Sequence, residues 1–367
     1  MKAFDDSINK RLNARRDNGL FRSLGKPVQQ IDFASNDYLG LARNSAYHEM
    51  VFEAVQANKA SLVGSTGSRL LTGNSVYVEW IEKKISRLHQ VEKASLFSSG
   101  YLANLCLLSC IPQRGETVLI DEHIHRSVHD GCRLNQALKW KFKHNDLHDL
   151  EQLLMRAKGN CYVVIESLYS MDGSFAPLKE MVALCEKHKA LLVVDEAHAF
   201  GVYGWGLVAH YQLQAKVFAT VVTYGKAMGC HGAAVLGSDL LQQLIINFGS
   251  PFIYSTSASM VQWIAIDKGY DFLDKHRDLP ILLEDNLRFY KEQQSQVVTE
   301  LLSPIQSVVI PGNRAVKEKA QQLVSHGFTV YPIVSPTVAI GQERLRICIH
   351  SFNSKDEIAQ LIHHLNK

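Results

Sequence analysis

Between residues 43 and 255 the chain alternates short, mostly apolar runs with longer amphipathic ones. The apolar runs at 94–97, 117–121, 161–166, 190–195, 217–223 and 233–237 have the length of strands and little polar alternation. Both faces of such strands need cover. The stretches 76–88, 102–111 and 178–188 between them place apolar residues at helical spacing. A strand apolar on both faces is stable only inside a layer flanked by helices, which predicts an α/β fold around a mostly parallel sheet.

The flanks read differently. Residues 1–42 form a polar N-terminal arm with a basic helix around Arg11 to Arg16 and a short strand at 31–33. Beyond 255 come helical stretches at 261–272 and 281–301, a strand at 308–310, a helix at 316–326, and strands at 328–331 and 345–349. A last helix opens at Ser354-Lys355-Asp356-Glu357, the pattern of a capping box. The expected division is therefore an arm (1–42), a large domain (43–255), and a smaller C-terminal α/β domain with a linking helix (256–367).

A formal charge of +3, spread along the chain, gives no support to a nucleic-acid partner. Seven cysteines, odd in number and mostly in apolar runs, suit reduced core thiols in a cytoplasmic protein better than a disulfide framework. The N-terminus lacks the apolar stretch of a signal peptide, and no run of about 18 apolar residues predicts a membrane span.

Open sheets of this kind bind ligands beyond the carboxyl ends of their strands. Polar residues gather there. Lys226 follows the run 217–223 in Thr223-Tyr224-Gly225-Lys226, and Asp195 with His198 closes another buried run. A lysine in a glycine turn, paired with a carboxylate ending a second buried strand, points to pyridoxal phosphate (PLP). Lys226 would form the Schiff base and Asp195 would keep the pyridine nitrogen protonated. His198, three residues on, would reach the ring oxygen. Ser98-Ser99-Gly100-Tyr101 opens a helix with free backbone N–H groups, which suits a phosphate. His123, His125 and His129 together could suggest zinc, but no carboxylate stands at ligand spacing beside them, and no metal is expected. His125 as an aromatic face stacked on a planar cofactor is the sharper reading.

These segments, in this order, resemble the α-oxoamine synthase family of fold type I PLP enzymes. The resemblance rests on Ser35-Asn36-Asp37-Tyr38-Leu39-Gly40, Gly64 to Arg69 with Gly73-Asn74, and Ser98 to Tyr101. It continues through Glu166 to Gly173, Asp195 to His198, and Thr223 to Lys226. It implies a large, mostly parallel seven-stranded sheet domain with a smaller C-terminal α/β domain, working as a homodimer with a shared active site. It assigns Lys226, His125, Asp195 and His198 to catalysis. Ser99, Gly100, Tyr101, Glu166, Ser170 and Thr223 would surround the cofactor, with Ser255 or Thr256 arriving from a neighbouring subunit. Asn36 and Arg346 would hold an amino-acid carboxylate, and Thr337 and Arg22 would meet the acyl group.

The segments Ile253 to Ser257, Pro336-Thr337-Val338 and Arg344-Leu345-Arg346 place the resemblance nearest the biotin-pathway branch. That branch implies decarboxylative condensation of L-alanine with pimeloyl-CoA or a pimeloyl carrier protein. Glycine acetyltransferase and serine palmitoyltransferase share the cofactor motifs. A plain aminotransferase leaves the arm motif and His125 unexplained, and a silent partner subunit would not need Lys226. Residues 347–352, the stretch Ser257-Ala258-Ser259 and the glycine loop 201–206 depart from the family pattern, all on the acyl side of the site.

Overall fold

A computed structural model describes residues 2–22, 24, 30–58 and 64–367. Its strands are β1 (Ile31–Asp32), β2 (Lys93–Phe97), β3 (Thr117–Asp121), β4 (Leu138–Phe142), β5 (Cys161–Glu166), β6 (Leu191–Asp195), β7 (Ala219–Thr223), β8 (Ala233–Gly237), β9 (Ile305–Val309), β10 (Phe328–Thr329), β11 (Tyr331–Ile333) and β12 (Arg344–Cys348). Seven of them form one sheet in the order β2-β8-β7-β6-β5-β3-β4. All neighbours in it are parallel except at β8, which runs antiparallel to both β2 and β7.

Successive residues of the central strands enter opposite cores. Val163, Ile165, Leu192 and Val194 pack with Met181 and Cys185 of the helix Leu178–His188. Tyr162, Val164, Val193 and Val221 pack on the other face with Ala103 and Leu107 of the helix Gly100–Cys110. Val163, Val164, Val194 and Val221 are wholly buried. Each such side chain contributes about 1.5–3 kcal/mol by leaving water. This two-sided burial is why these strands carry no polar alternation.

Strand β4 is absent from the sequence reading. It is an edge strand reading Leu-Lys-Trp-Lys-Phe, with Lys139 and Lys141 exposed and Phe142 buried. A search for runs apolar on both faces passes over it, and charged side chains on an edge discourage pairing with another chain. The expected strand at 328–331 is two strands in different sheets: β10 pairs with β1 of the arm, and β11 with β12. The expected helix at 281–301 is Asp278–Gln293, closed by Ser295 in the left-handed conformation (φ 52°).

In the C-terminal part, β11, β12 and β9 form an antiparallel sheet. Its final helix, Lys355–Leu365, begins with the expected capping box between Ser354 and Glu357. The linking helix Met260–Lys275 lays Trp263, Ile266 and Tyr270 into one apolar cluster with Tyr38 of the arm, Met228 of the large domain and Leu345 of β12. That cluster holds the arm and β12 against the end of β7. No helix among the described residues is long and apolar enough to cross a membrane.

Candidate active site

Strand β2 ends at Phe97, and the helix Gly100–Cys110 starts three residues later with Ser99 as its N-cap, whose Oγ accepts from the Leu102 amide at 3.3 Å. A Cβ at Gly100 would collide with the methyl group of Thr223 at the end of β7. Glycine therefore lets the helix start lie against that strand end. Thr223 Oγ1 is buried without a hydrogen-bond partner. A hydroxyl and unpaired helix N–H groups facing one point make an anion cradle.

Beside the cradle, β5 and β6 end in register, Glu166 opposite Asp195. Asp195 Oδ1 accepts from the Ala197 amide at 2.9 Å, and Oδ2 accepts from Asn104 Nδ2 at 2.6 Å. Lys226 leaves β7 through Tyr224 and Gly225. Burial, reinforced by the Arg346 charge, moves its ammonium below the usual lysine range, while Asp195 opposes the shift. Burial also lowers the His125 and His198 imidazoles and raises the Glu166 carboxyl well above the usual range, the last helped by the Asp195 charge. His125 caps the helix Arg126–Leu134 and places Nδ1 2.8 Å from Ser127 Oγ.

The space enclosed is a cavity of about 200 Å³. Ser99, Gly100, Tyr101, His125, Glu166, Asp195, His198, Thr223 and Lys226 all line it, so the structure brings together most of the residues the sequence marked for a cofactor. Asn104 and His231 also line it and were missed. The signal for Asn104 was present: it is a polar residue inside the apolar helix run Leu102-Ala103-Asn104-Leu105.

Arg346 projects from β12 and is 6% exposed. Its Nε donates to the Ser170 carbonyl at 2.6 Å, and its Nη2 to Asn36 Oδ1 at 2.8 Å. Asn36 and Arg346 thus meet as expected for a carboxylate pair, although 310 residues apart. Tyr38 stands between them and His198, its hydroxyl 2.6 Å from His198 Nδ1. Sequence reasoning gave Tyr38 no role.

Ser170 and Thr337 lie outside the cofactor cavity. They line a neighbouring hollow of about 990 Å³ that shares His125 with it. Ser255 and Thr256 sit apart, beside Arg69 and Ser98, with Thr256 bridged to Ser68. Arg22 is exposed beyond the end of the arm helix Lys2–Asp17 and lines neither cavity. Of the three histidines read for zinc, only His123 meets other donors, namely His144 and Asp172. Its ring stacks on His144 with centroids 4.1 Å apart and planes at 19°. The ligand atoms of His123, His144 and Asp172 lie within 4.8 Å of one another.

The donor set suits PLP. The cradle offers donors to a phosphate, Asp195 an acceptor to a protonated ring nitrogen, His198 a partner to a ring oxygen and Lys226 an amine to an aldehyde. Buried, unpartnered Thr223 Oγ1 and Glu166 Oε1 leave polar capacity in the cavity wall.

Comparison with known proteins agrees. The family model for aminotransferase class I and II matches residues 28–365. A putative 8-amino-7-oxononanoate synthase of Bacillus licheniformis is 34% identical, the match covering 98% of this chain and 96% of that one. Among solved structures, SPT (serine palmitoyltransferase) with PLP aligns with a TM-score of 0.87 at 25% identity, covering 99% of this chain and 96% of that one. The 8-amino-7-oxononanoate synthase of Francisella tularensis aligns at 0.77 and 26%, covering 92% and 96%. The chain belongs to the class I and II aminotransferase family, within its α-oxoamine synthase group of fold type I.

Proposed function

We propose that the chain is a PLP-dependent acyltransferase that joins L-alanine to a pimeloyl thioester, releasing carbon dioxide and the thiol to give 8-amino-7-oxononanoate. The observation that carries this reading is the junction of three sites: the Lys226–Asp195 cavity, the Arg346–Asn36 pair beside it, and the larger hollow reached past His125.

When bound, PLP supplies an electron sink for charge developing on the amino-acid Cα. The chain's residues do the rest. Asp195, fixed by Asn104 and the Ala197 amide, favours a protonated ring nitrogen by direct pairing. Arg346 offers a planar fork to the substrate carboxylate, held in aim by the Ser170 carbonyl and Asn36. That grip directs the Cα–H bond towards Lys226, an orientation effect. The burial that lowers the Lys226 ammonium favours the free amine that takes and returns that proton.

The larger hollow supports an anionic acyl carrier. Its lining includes Arg126, Lys141 and Arg344 beside the carboxylates Glu122 and Asp172, with Thr337 and Ser170 as hydroxyl donors. A pimeloyl tail ends in a carboxylate and can use such donors, whereas a palmitoyl chain would bury them unpaired at about 1–3 kcal/mol each. A homodimer is proposed on the exposed apolar Leu70, Leu71 and Tyr254, which flank the segments bearing Arg69 and Ser255-Thr256. Such a partner could supply Ser255 or Thr256 to the neighbouring cradle.

The test is to incubate purified protein with alanine, glycine or serine and with pimeloyl-, acetyl- or palmitoyl-CoA, following thiol and carbon dioxide release. Alanine with the pimeloyl donor should give the highest kcat/KM. Faster condensation of glycine with acetyl-CoA, or of serine with palmitoyl-CoA, would replace this substrate assignment and leave the cofactor reading standing.

A further inference from the structure

His198 lies in a setting hostile to charge: burial opposes its protonated form first, and Lys226, Arg346 and His125 add to the effect. A neutral imidazole carries one proton, on Nδ1 or on Nε2, and the two tautomers have opposite uses. Nε2 has no hydrogen-bond partner among the described residues, and His198 lines the cofactor cavity. Nδ1 faces the hydroxyl of Tyr38, a wholly buried residue, at 2.6 Å.

The Tyr38 hydroxyl has two further neighbours. Asn36 Oδ1 lies at 3.1 Å, and Arg346 Nη2 at 3.4 Å. A guanidinium only donates, so Arg346 addresses a lone pair of the phenol oxygen. The single phenol proton then goes to His198 or to Asn36. Asn36 Oδ1 already accepts from Arg346 at 2.8 Å, whereas a bare Nδ1 would have this hydroxyl as its hydrogen-bond donor at the shorter distance. Burial also pushes the Tyr38 phenol up, so it retains the proton it would donate.

We propose that Tyr38 is a positioning residue that donates to His198 Nδ1 and thereby holds the imidazole as its Nε2–H tautomer, with a donor facing the cavity. The inference deepens the proposed site and rests on His198 meeting the cofactor's ring oxygen. With the other tautomer, a bare Nε2 would face a ring oxygen that needs a donor.

The test uses the holoenzyme and two readouts other than turnover. In protein carrying ¹⁵N-labelled histidine, His198 should show an unprotonated Nδ1 and a protonated Nε2; the reverse pattern overturns the proposal without any variant. The second readout is the pH midpoint of the cofactor's absorbance. Tyr38→Phe keeps the ring in its packing and should move that midpoint by about one unit, the scale of a lost charge-assisted hydrogen bond. In a His198→Asn background the amide can donate without help, so adding Tyr38→Phe should move the midpoint no further. An equal shift in both backgrounds would mean that Tyr38 acts through Arg346 and Asn36 and would overturn the proposal. If His198→Asn leaves the parent spectrum unchanged, the ring-oxygen contact is what fails, while the nitrogen resonances still decide the tautomer.

Discussion

Asn104 Nδ2 lies 2.6 Å from Asp195 Oδ2, so a side chain on the cradle helix orients the carboxylate that ends β6. Asn104 also reaches Ser127 Oγ at 3.1 Å, which in turn meets His125 Nδ1. One amide thus ties together the groups assigned to the ring nitrogen and the ring face. Asn104→Leu should slow exchange of the alanine α-proton by roughly ten- to a hundredfold, the scale of a hydrogen bond to a charged group. Asp195→Asn should lose most of that exchange while retaining some cofactor. Exchange at the parental rate in Asn104→Leu would show that Asp195 needs no such orientation.

Lys226 is the lysine on the cofactor cavity wall. The purified protein should be yellow, and borohydride should fix the cofactor to the peptide carrying Lys226. Lys226→Ala should abolish turnover and lose the covalent label. Recovery of the label on another lysine removes the central assignment.

Gly173 closes the turn after β5 in the left-handed region (φ 75°), and a Cβ there would collide with the Ile305 carbonyl and stand 2.5 Å from Ser303 Oγ. This contact docks the Glu166–Gly173 segment on β9. Gly173→Ala should cost about 1–3 kcal/mol through backbone strain alone, and more as the turn lifts from β9. It should also raise KM for the amino acid, because the Ser170 carbonyl that aims Arg346 lies in the same turn. Chemical denaturation and steady-state kinetics check the two effects; an unchanged unfolding midpoint would contradict the packing argument.

His89 is buried among Phe200, Trp205 and Tyr270, and burial lowers its pKa to about 3. A depressed pKa means that the unfolded chain binds the proton first. Its contribution to stability is complete above the ordinary histidine value near 6.5 and is lost as pH falls towards 3, at up to about 1.4 kcal/mol per pH unit. Urea unfolding at pH 7 and pH 5 should show a smaller pH effect in His89→Gln than in the parent. Identical slopes would place the acid sensitivity elsewhere.

The sequence was most readable where physics acts locally. Central strands such as β5 and β6 announce themselves through two-sided burial, and Ser354 with Glu357 through cap chemistry. Lys226 and Asp195 were legible as charged residues standing at or just after the ends of apolar runs. Edge strand β4 was not, since half of it faces water and alternates like many exposed segments. Tyr38 was silent, and Asn104 showed only as a polar residue in an apolar helix run, because their importance lies in what they touch: His198 is 160 positions from Tyr38, and Asp195 is 91 from Asn104. Neither distance can be read along the chain.

The parallel pairing of β1 with β10 has a consequence for how the molecule is made. Asn36 emerges from the ribosome 310 residues before Arg346, yet the proposed carboxylate site needs both. Contacts of such separation are slow to close. During synthesis the arm's buried Phe33, Tyr38 and Leu39 must wait without their C-terminal neighbours after the central strands already have theirs. Nascent enzyme is therefore expected to bring its Lys226–Asp195 cavity together before it can grip an amino acid, so that cofactor capture can precede substrate competence.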